Sequence, residues 1–265
     1  MKPPFALFLT VVALALVSML AYALRGHDRD ADADRKGSQF LLGFGDFLVH
    51  WFMWALSPAE RLFLLLGLTP DFFNFAGLFC GLASGILIGL GWLEWGGLAI
   101  ALGGVADIFD GRIARARKLA SPYGTFIDST LDRFVEVFAF LGFVVYLRAA
   151  PLGPFLASAA LAGSLLVSYT RARGESLGVT CKEGLMQRAE RLVLTFLACM
   201  LDAPVTGAAG WAPGTLVGGV LALIAVGTFI TAAHRTIWIS ARLRSADGAT
   251  VAPPPQDPPR AASRK

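Results

Sequence analysis

Asp107 and Asp110 lie three residues apart, and Asp128 and Asp132 lie four apart. On helices each pair shares a face, so two neighbouring helices can present four carboxylates to one another. The surrounding chain is apolar, and a carboxylate at bilayer depth costs roughly 2.5–3.5 kcal/mol. Four of them together also repel, so they need compensation, and divalent cations bound through oxygen are the obvious source. Gly111 follows Asp110 directly and Ala114 stands one turn further on. Small side chains there leave a gap where a ligand can approach the backbone. Arg115 closes the segment with a planar cationic fork suited to phosphate. Metal ligands, a slot and a phosphate clamp are the equipment for chemistry on a diphosphate. The blander alternative is a set of helix-end charges at a membrane surface, paired with Arg112, Arg115, Arg117, Lys118 and Arg133.

The elements that must position these groups follow from composition. The chain has 265 residues, 55% hydrophobic and 16% charged, the balance of a polytopic membrane protein. Its formal charge of +4 reads as positive cytoplasmic loops rather than nucleic-acid binding. Cys80, Cys181 and Cys199 form no CxxC pair, which leaves no support for a disulfide framework or zinc site. Residues 5–24 make an apolar run with Ala21-Tyr22-Ala23 near its end, resembling a cleavage site. The basic residues from Arg25 to Lys36 favour an uncleaved anchor with its N-terminus outside. In the 40–68 segment Phe40, Phe44, Phe47, Trp51 and Trp54 recur at helical spacing before Pro58 interrupts, as in an interfacial amphipathic helix. A spanning helix is the competing reading there.

Six core spans follow, over 71–92, 97–117, 122–148, 154–171, 185–202 and 214–238. The first carries Gly77, Gly81, Gly85 and Gly89 at four-residue spacing, a face for close helix packing. The fold class is therefore all-α integral membrane, with six core transmembrane helices, an interfacial amphipathic helix and an extra N-terminal transmembrane anchor. The chain divides into an anchor and charged linker (1–38), a catalytic domain (39–240) and a disordered basic, Pro-rich tail (241–265). A second basic cluster, Arg171 and Arg173 in one segment and Arg188 and Arg191 in another, falls on the aspartate side of the membrane. Such residues either flank helices on the cytoplasmic face or form a pocket for an acceptor that carries a phosphate.

The pattern D-x-x-D-G-x-x-A-R-x8-G-x-x-x-D-x-x-x-D, filled from Asp107 to Asp132, resembles the signature of the CDP-alcohol phosphatidyltransferase family. The segments 67–71, 168–175 and 187–191 look like its phosphatidylinositol phosphate synthase and archaetidylinositol phosphate synthase branch. The resemblance covers about residues 45–240. It implies transfer of a phosphatidyl group from CDP-diacylglycerol to a polyol phosphate, foremost inositol phosphate, with release of CMP in phospholipid biosynthesis. It further implies two Mg²⁺ or Mn²⁺ ions held by Asp107, Asp110, Asp128 and Asp132, with Asp132 as general base. Gly111, Ala114 and Arg115 would bind the CDP moiety, and Arg171, Arg191 and Arg235 the acceptor. Relatives carry Lys where Arg171 stands. The second half of the signature reads Asp128-Ser-Thr-Leu-Asp132-Arg133, unlike the Asp-Pro-x-x-Asp-Lys usual in phosphatidylglycerophosphate synthases. Glycerol 3-phosphate or a free polyol as acceptor is the alternative within the family, and a non-enzymatic divalent-metal carrier the remoter one. A homodimer in the cell (inner) membrane, multi-pass, with its active site facing the cytoplasm, completes the expectation.

This topology puts the 118–123 turn and the tail on one side, because four spans separate them. Single cysteines at Lys118 and Ser263, in a background lacking Cys80, Cys181 and Cys199, should both resist a membrane-impermeant maleimide in intact spheroplasts and react after permeabilisation. Labelling of either one in intact cells refutes the arrangement.

Overall fold

The computed structural model describes residues 3–25, 44–181 and 183–250. They form α1 (Pro3–Arg25), α2 (Phe44–Leu65), α3 (Pro70–Gly89), α4 (Leu93–Ala116), α5 (Pro122–Tyr146), α6 (Gly153–Ser176), α7 (Arg188–Ala209) and α8 (Thr215–Thr250). No strand occurs among the described residues. The charged linker and the first four residues of the expected interfacial segment lie outside them. Five helices, α1, α3, α6, α7 and α8, are long and apolar enough to cross a membrane. The charges in α4 and α5 keep them below that apolar threshold. At 24 and 25 residues, and about 1.5 Å per residue, they still match a hydrocarbon core of about 30 Å. The chain is an all-α, multi-pass membrane protein.

Local sequence sets the phase of the helices that carry the aspartates. Ser121 Oγ accepts from the Gly124 amide at the start of α5, and Pro122 takes the first helical position. A Ser cap followed by proline fixes where the helix begins, and so fixes the direction of Asp128 and Asp132. Before it, α4 ends in a tight turn in which the Lys118 amide donates to Arg115 O and the Leu119 amide to Ala114 O. Lys118 takes a left-handed φ of 57°, a conformation more often given to glycine. Thr69 and Pro70 start α3 in the same way as Ser121 and Pro122 start α5. The carboxylate of Asp202, on α7, accepts from the amides of Gly214 at 2.8 Å and Val217 at 3.2 Å. A buried anion thus satisfies the exposed N–H groups where α8 begins.

The glycine face of α3 works as close packing, and it serves two partners. A Cβ at Gly77 would lie 3.7 Å from Gly103 O on α4. One at Gly81 would lie 2.8 Å from Val135 Cα on α5, and one at Gly85 would collide with the Phe138 carbonyl. α3 packs along both α4 and α5, the two helices that bear the aspartates. The main core lies deeper among α3 to α8, around Ile88, Phe143, Ala157, Cys199, Met200 and Ile224.

α2 is docked more firmly than a surface helix needs to be. Phe63 meets Phe109 edge-on at 4.8 Å and Phe73 at 5.1 Å. Arg112, expected as a flanking cytoplasmic charge, is instead buried. It pairs with Glu60 and donates to Met53 Sδ and Ser57 Oγ. Arg117 donates to Leu64 O at 3.0 Å and Gly67 O at 3.1 Å, covering free carbonyls at the end of α2. Pro58 does not interrupt the helix, which runs unbroken from Phe44 to Leu65. α1 lies against the bundle through Phe8, which meets Phe196 on α7, and through Tyr22, which packs between Phe47 and Trp54 of α2. Trp51 Nε1 donates to Ser18 Oγ at 3.0 Å. At the other terminus α8 continues to Thr250, ten residues into the segment expected to be a disordered tail. Residues 251–265 lie outside the described ones.

Gly85→Val should drive α3 from α5 and lower stability in detergent by about 1–3 kcal/mol or more. Gly218→Ala, whose added Cβ meets nothing within 4 Å, should leave the melting temperature unchanged or raise it. Tryptophan fluorescence during thermal unfolding checks both.

Candidate active site

Asp107 and Asp110 lie in the last turns of α4, and Asp128 and Asp132 in the first turns of α5. The short connection between these helices brings the four to one end of the bundle. Single carboxylate oxygens of Asp107, Asp110 and Asp128 lie within 4.8 Å of one another. At an effective dielectric of about 20, unit charges at about that distance repel by roughly 3–4 kcal/mol. Asp110 is buried, so solvent does little to relieve that repulsion. A cluster of hard, anionic oxygens of this size fits Mg²⁺ or Mn²⁺.

Asp132 joins the cluster through an arginine from a third helix. Arg188, the first residue of α7, places Nη1 2.8 Å from Asp107 Oδ1 and Nη2 2.6 Å from Asp132 Oδ1. One guanidinium thus spans α4 and α5. Arg133 Nη1 stands 3.9 Å from the second oxygen of Asp132. A small cavity of about 10 Å³, near the space one water-sized body needs, is lined by Asp107, Asp110, Asp132, Arg188 and the buried Asn74 of α3.

Gly111 and Arg115 stand one turn apart on α4. A Cβ at Gly111 would lie 3.0 Å from Arg115 Nη1, so the guanidinium lies over the open face of the glycine. Ala114 is half-buried on the same helix and Arg115 is exposed.

The three arginines expected to hold an acceptor come from three helices, α6, α7 and α8. Their surroundings differ. Arg171 is exposed and pairs with Glu175 at 2.9 Å. Arg191 is 3% exposed, forms a two-pronged pair with Glu136 and donates to Met186 O at 3.2 Å. Arg235, also buried, donates to Glu183 O at 2.8 Å and Val167 O at 3.0 Å. A second cavity of about 40 Å³ lies beside the acidic cluster, with Glu136, Arg188, Arg191 and Thr195 among its lining residues.

Glu136, Asn74 and the bridging role of Arg188 escaped the sequence reading. Each left a signal. Glu136 extends the Asp128, Asp132 series by one more four-residue step, Asn74 is polar within an apolar span, and Arg188 shares a helix face with Arg191.

This arrangement has known counterparts. The family model for CDP-alcohol phosphatidyltransferase matches residues 67–239. The chain belongs to that family. It is 33% identical over 214 residues to the phosphatidylinositol phosphate synthase of Streptomyces avermitilis, covering 76% of this chain and 84% of that one. It is 31% identical over 179 residues to the archaetidylinositol phosphate synthase of Methanothermobacter thermautotrophicus, covering 68% and 87%. Among solved structures it resembles the Mycobacterium tuberculosis phosphatidylinositol phosphate synthase with CDP-DAG bound, with a TM-score of 0.61 and 28% identity over 69% of this chain and 92% of that one. The same enzyme in complex with manganese and citrate gives a TM-score of 0.61 at 27% identity.

Asp110→Asn removes a buried anion from the centre of the cluster. It should weaken Mn²⁺ binding, followed by the free-ion electron paramagnetic resonance signal, by tenfold or more, on the scale of one charged contact. Circular dichroism should show the helices retained.

Proposed function

We propose that this protein transfers a phosphatidyl group from CDP-diacylglycerol to inositol phosphate and releases CMP. The observation that carries the reading is the convergence of the four signature carboxylates at one end of the bundle, next to a cavity edged with arginines. Identity to enzymes named for making phosphatidylinositol phosphate supports the acceptor.

Asp107, Asp110 and Asp128 would hold two divalent ions, with Asp132 sharing in binding them. Bound there, the ions would supply positive charge to offset that of the diphosphate and of the departing CMP. Asp132 takes the proton from the acceptor hydroxyl. The acceptor oxygen forms a bond to the β-phosphorus, the bond between that phosphorus and the CMP oxygen breaks, and CMP leaves with the electron pair. Gly111 and Ala114 admit the cytidine, and the Arg115 fork binds phosphate. Arg171, Arg191 and Arg235 hold the acceptor phosphate. The protein works as a homodimer in the cell membrane with this end of the bundle facing the cytoplasm. Residues 1–38 stay attached as anchor and linker, a reading supported by the packing of Tyr22, within the apparent cleavage sequence, between two rings of α2.

Purified protein with CDP-diacylglycerol and Mn²⁺ or Mg²⁺ should release CMP with inositol phosphate and far less with inositol or glycerol 3-phosphate. A preference for glycerol 3-phosphate overturns the acceptor. Asp132→Asn should lower turnover by about 10²–10⁴-fold. Arg171→Ala is the cleanest acceptor probe, because Arg171 is exposed and its loss buries no unpaired charge. It should raise the KM for inositol phosphate roughly ten- to a hundredfold, leaving that for CDP-diacylglycerol nearly unchanged.

A further inference from the structure

Arg191 presents a difficulty as a phosphate ligand. Glu136 already accepts from two of its guanidinium nitrogens, so the pair brings no net charge to the cavity it lines. Arg171 and Arg235 do not line that cavity, so a phosphate they hold from one side is helped by a cation on the cavity wall itself. Arg188 stands at the right place. It lines both the small acidic cavity and the larger one that holds Glu136 and Arg191. Its side chain projects from the first turn of α7, a backbone held by the Met186 amide donating to Thr231 Oγ1 at 3.0 Å and by Arg191 donating to Met186 O. The Cα is thus fixed, while the four torsions of the side chain can redirect the guanidinium.

Its present partners are Asp107 and Asp132. A guanidinium and divalent cations answer the same need there, which is positive charge among crowded carboxylates. They also repel each other at such distances, so each weakens the hold of the other. We infer that Arg188 is a movable counter-cation, which bridges Asp107 and Asp132 until divalent ions neutralise the carboxylates and then turns into the neighbouring cavity to meet the acceptor phosphate beside Arg191. The inference rests on the transferase reading above and adds an order to it: metal loading prepares the acceptor site. Coupling of this kind is reciprocal, so the acceptor must also tighten metal binding.

Mn²⁺ binding to the purified full-length protein tests this, with wild type, Arg188→Gln and Arg188→Lys compared by electron paramagnetic resonance and thermal unfolding. Arg188→Gln should bind Mn²⁺ about tenfold more tightly, since the competing cation is gone. Inositol phosphate should tighten Mn²⁺ binding to wild type by about fivefold or more, and this coupling should vanish in Arg188→Gln. Without Mn²⁺ the Gln variant should melt below wild type, and saturating Mn²⁺ should close the gap. Arg188→Lys keeps the charge but reaches one carboxylate at a time, so its Mn²⁺ affinity should fall between the other two. It carries the test if the Gln variant fails to fold. Unchanged or weaker Mn²⁺ binding in the variants overturns the inference, as does a melting deficit equal with and without Mn²⁺, the mark of a static structural pair. If wild type releases no CMP with any acceptor, the transferase reading falls while the Mn²⁺ affinities still judge the exchange of cations. If wild type is active and the affinities do not move, Arg188 alone has been misread.

Discussion

The repulsion among the signature carboxylates is the constraint to which the rest of this protein answers. Three of them bring oxygens within 4.8 Å, and the middle one, Asp110, is buried away from the water that would spread its charge. Each remedy shapes a different part of the molecule. Divalent ions fit the oxygen cluster, and Arg188 reaches in from α7 to span Asp107 and Asp132. The scaffold must then keep α4 and α5 from moving apart under the load. It does so through α3, whose glycines let backbones touch along the second half of α5, from Val135 onward. Such packing places many weak dispersion contacts against one concentrated electrostatic term.

Charges beyond the cluster divide into two kinds. Some are working parts of the frame. Arg112 and Arg117 tie α2 to α4, one through Glu60 and the other through the last carbonyls of α2. Since Arg112 sits two residues after Asp110, the same helix segment that presents the cluster also grips α2. Asp202 does comparable work where α7 meets α8, holding the first amides of the last helix. The others, Arg115 and Arg171, remain exposed, accessible to charged groups from solution. Partners are what separate the two groups: parting a buried arginine such as Arg112 from its carboxylate is costly, whereas an exposed one exchanges partners readily.

Family membership accounts for the core of six helices, because the matching model covers residues 67–239. α1 and α2 both precede that range. Their mutual packing, through Tyr22, Trp51 and Ser18, and the attachment of α2 to α4 make the N-terminal part continuous with the site. Phe109, next to Asp110, is pressed between Phe63 and Phe73, so a shift of α2 would be felt at the carboxylates within one residue.

The sequence by itself determined the class of membrane protein, the order of its core helices and the identity of the acidic cluster. Those features are local: apolar runs of bilayer length, Ser-Pro and Thr-Pro helix starts, and carboxylates spaced to share a helix face. It also showed that the α3 glycines pack closely. Only the tertiary structure decided which partner each charge takes. Arg188 and Asp107 are far apart in sequence, as are Arg191 and Glu136 or Arg112 and Glu60, and no periodicity links them. The same arginine near a helix end can flank a membrane, bridge two helices or hold a ligand, and its role depends on which carboxylates folding brings within hydrogen-bond distance. Pro58 shows the same limit from the other side. Its missing amide removes one helical hydrogen bond, but the packing of Phe63 and the pairing of Glu60 beyond it keep α2 in one piece.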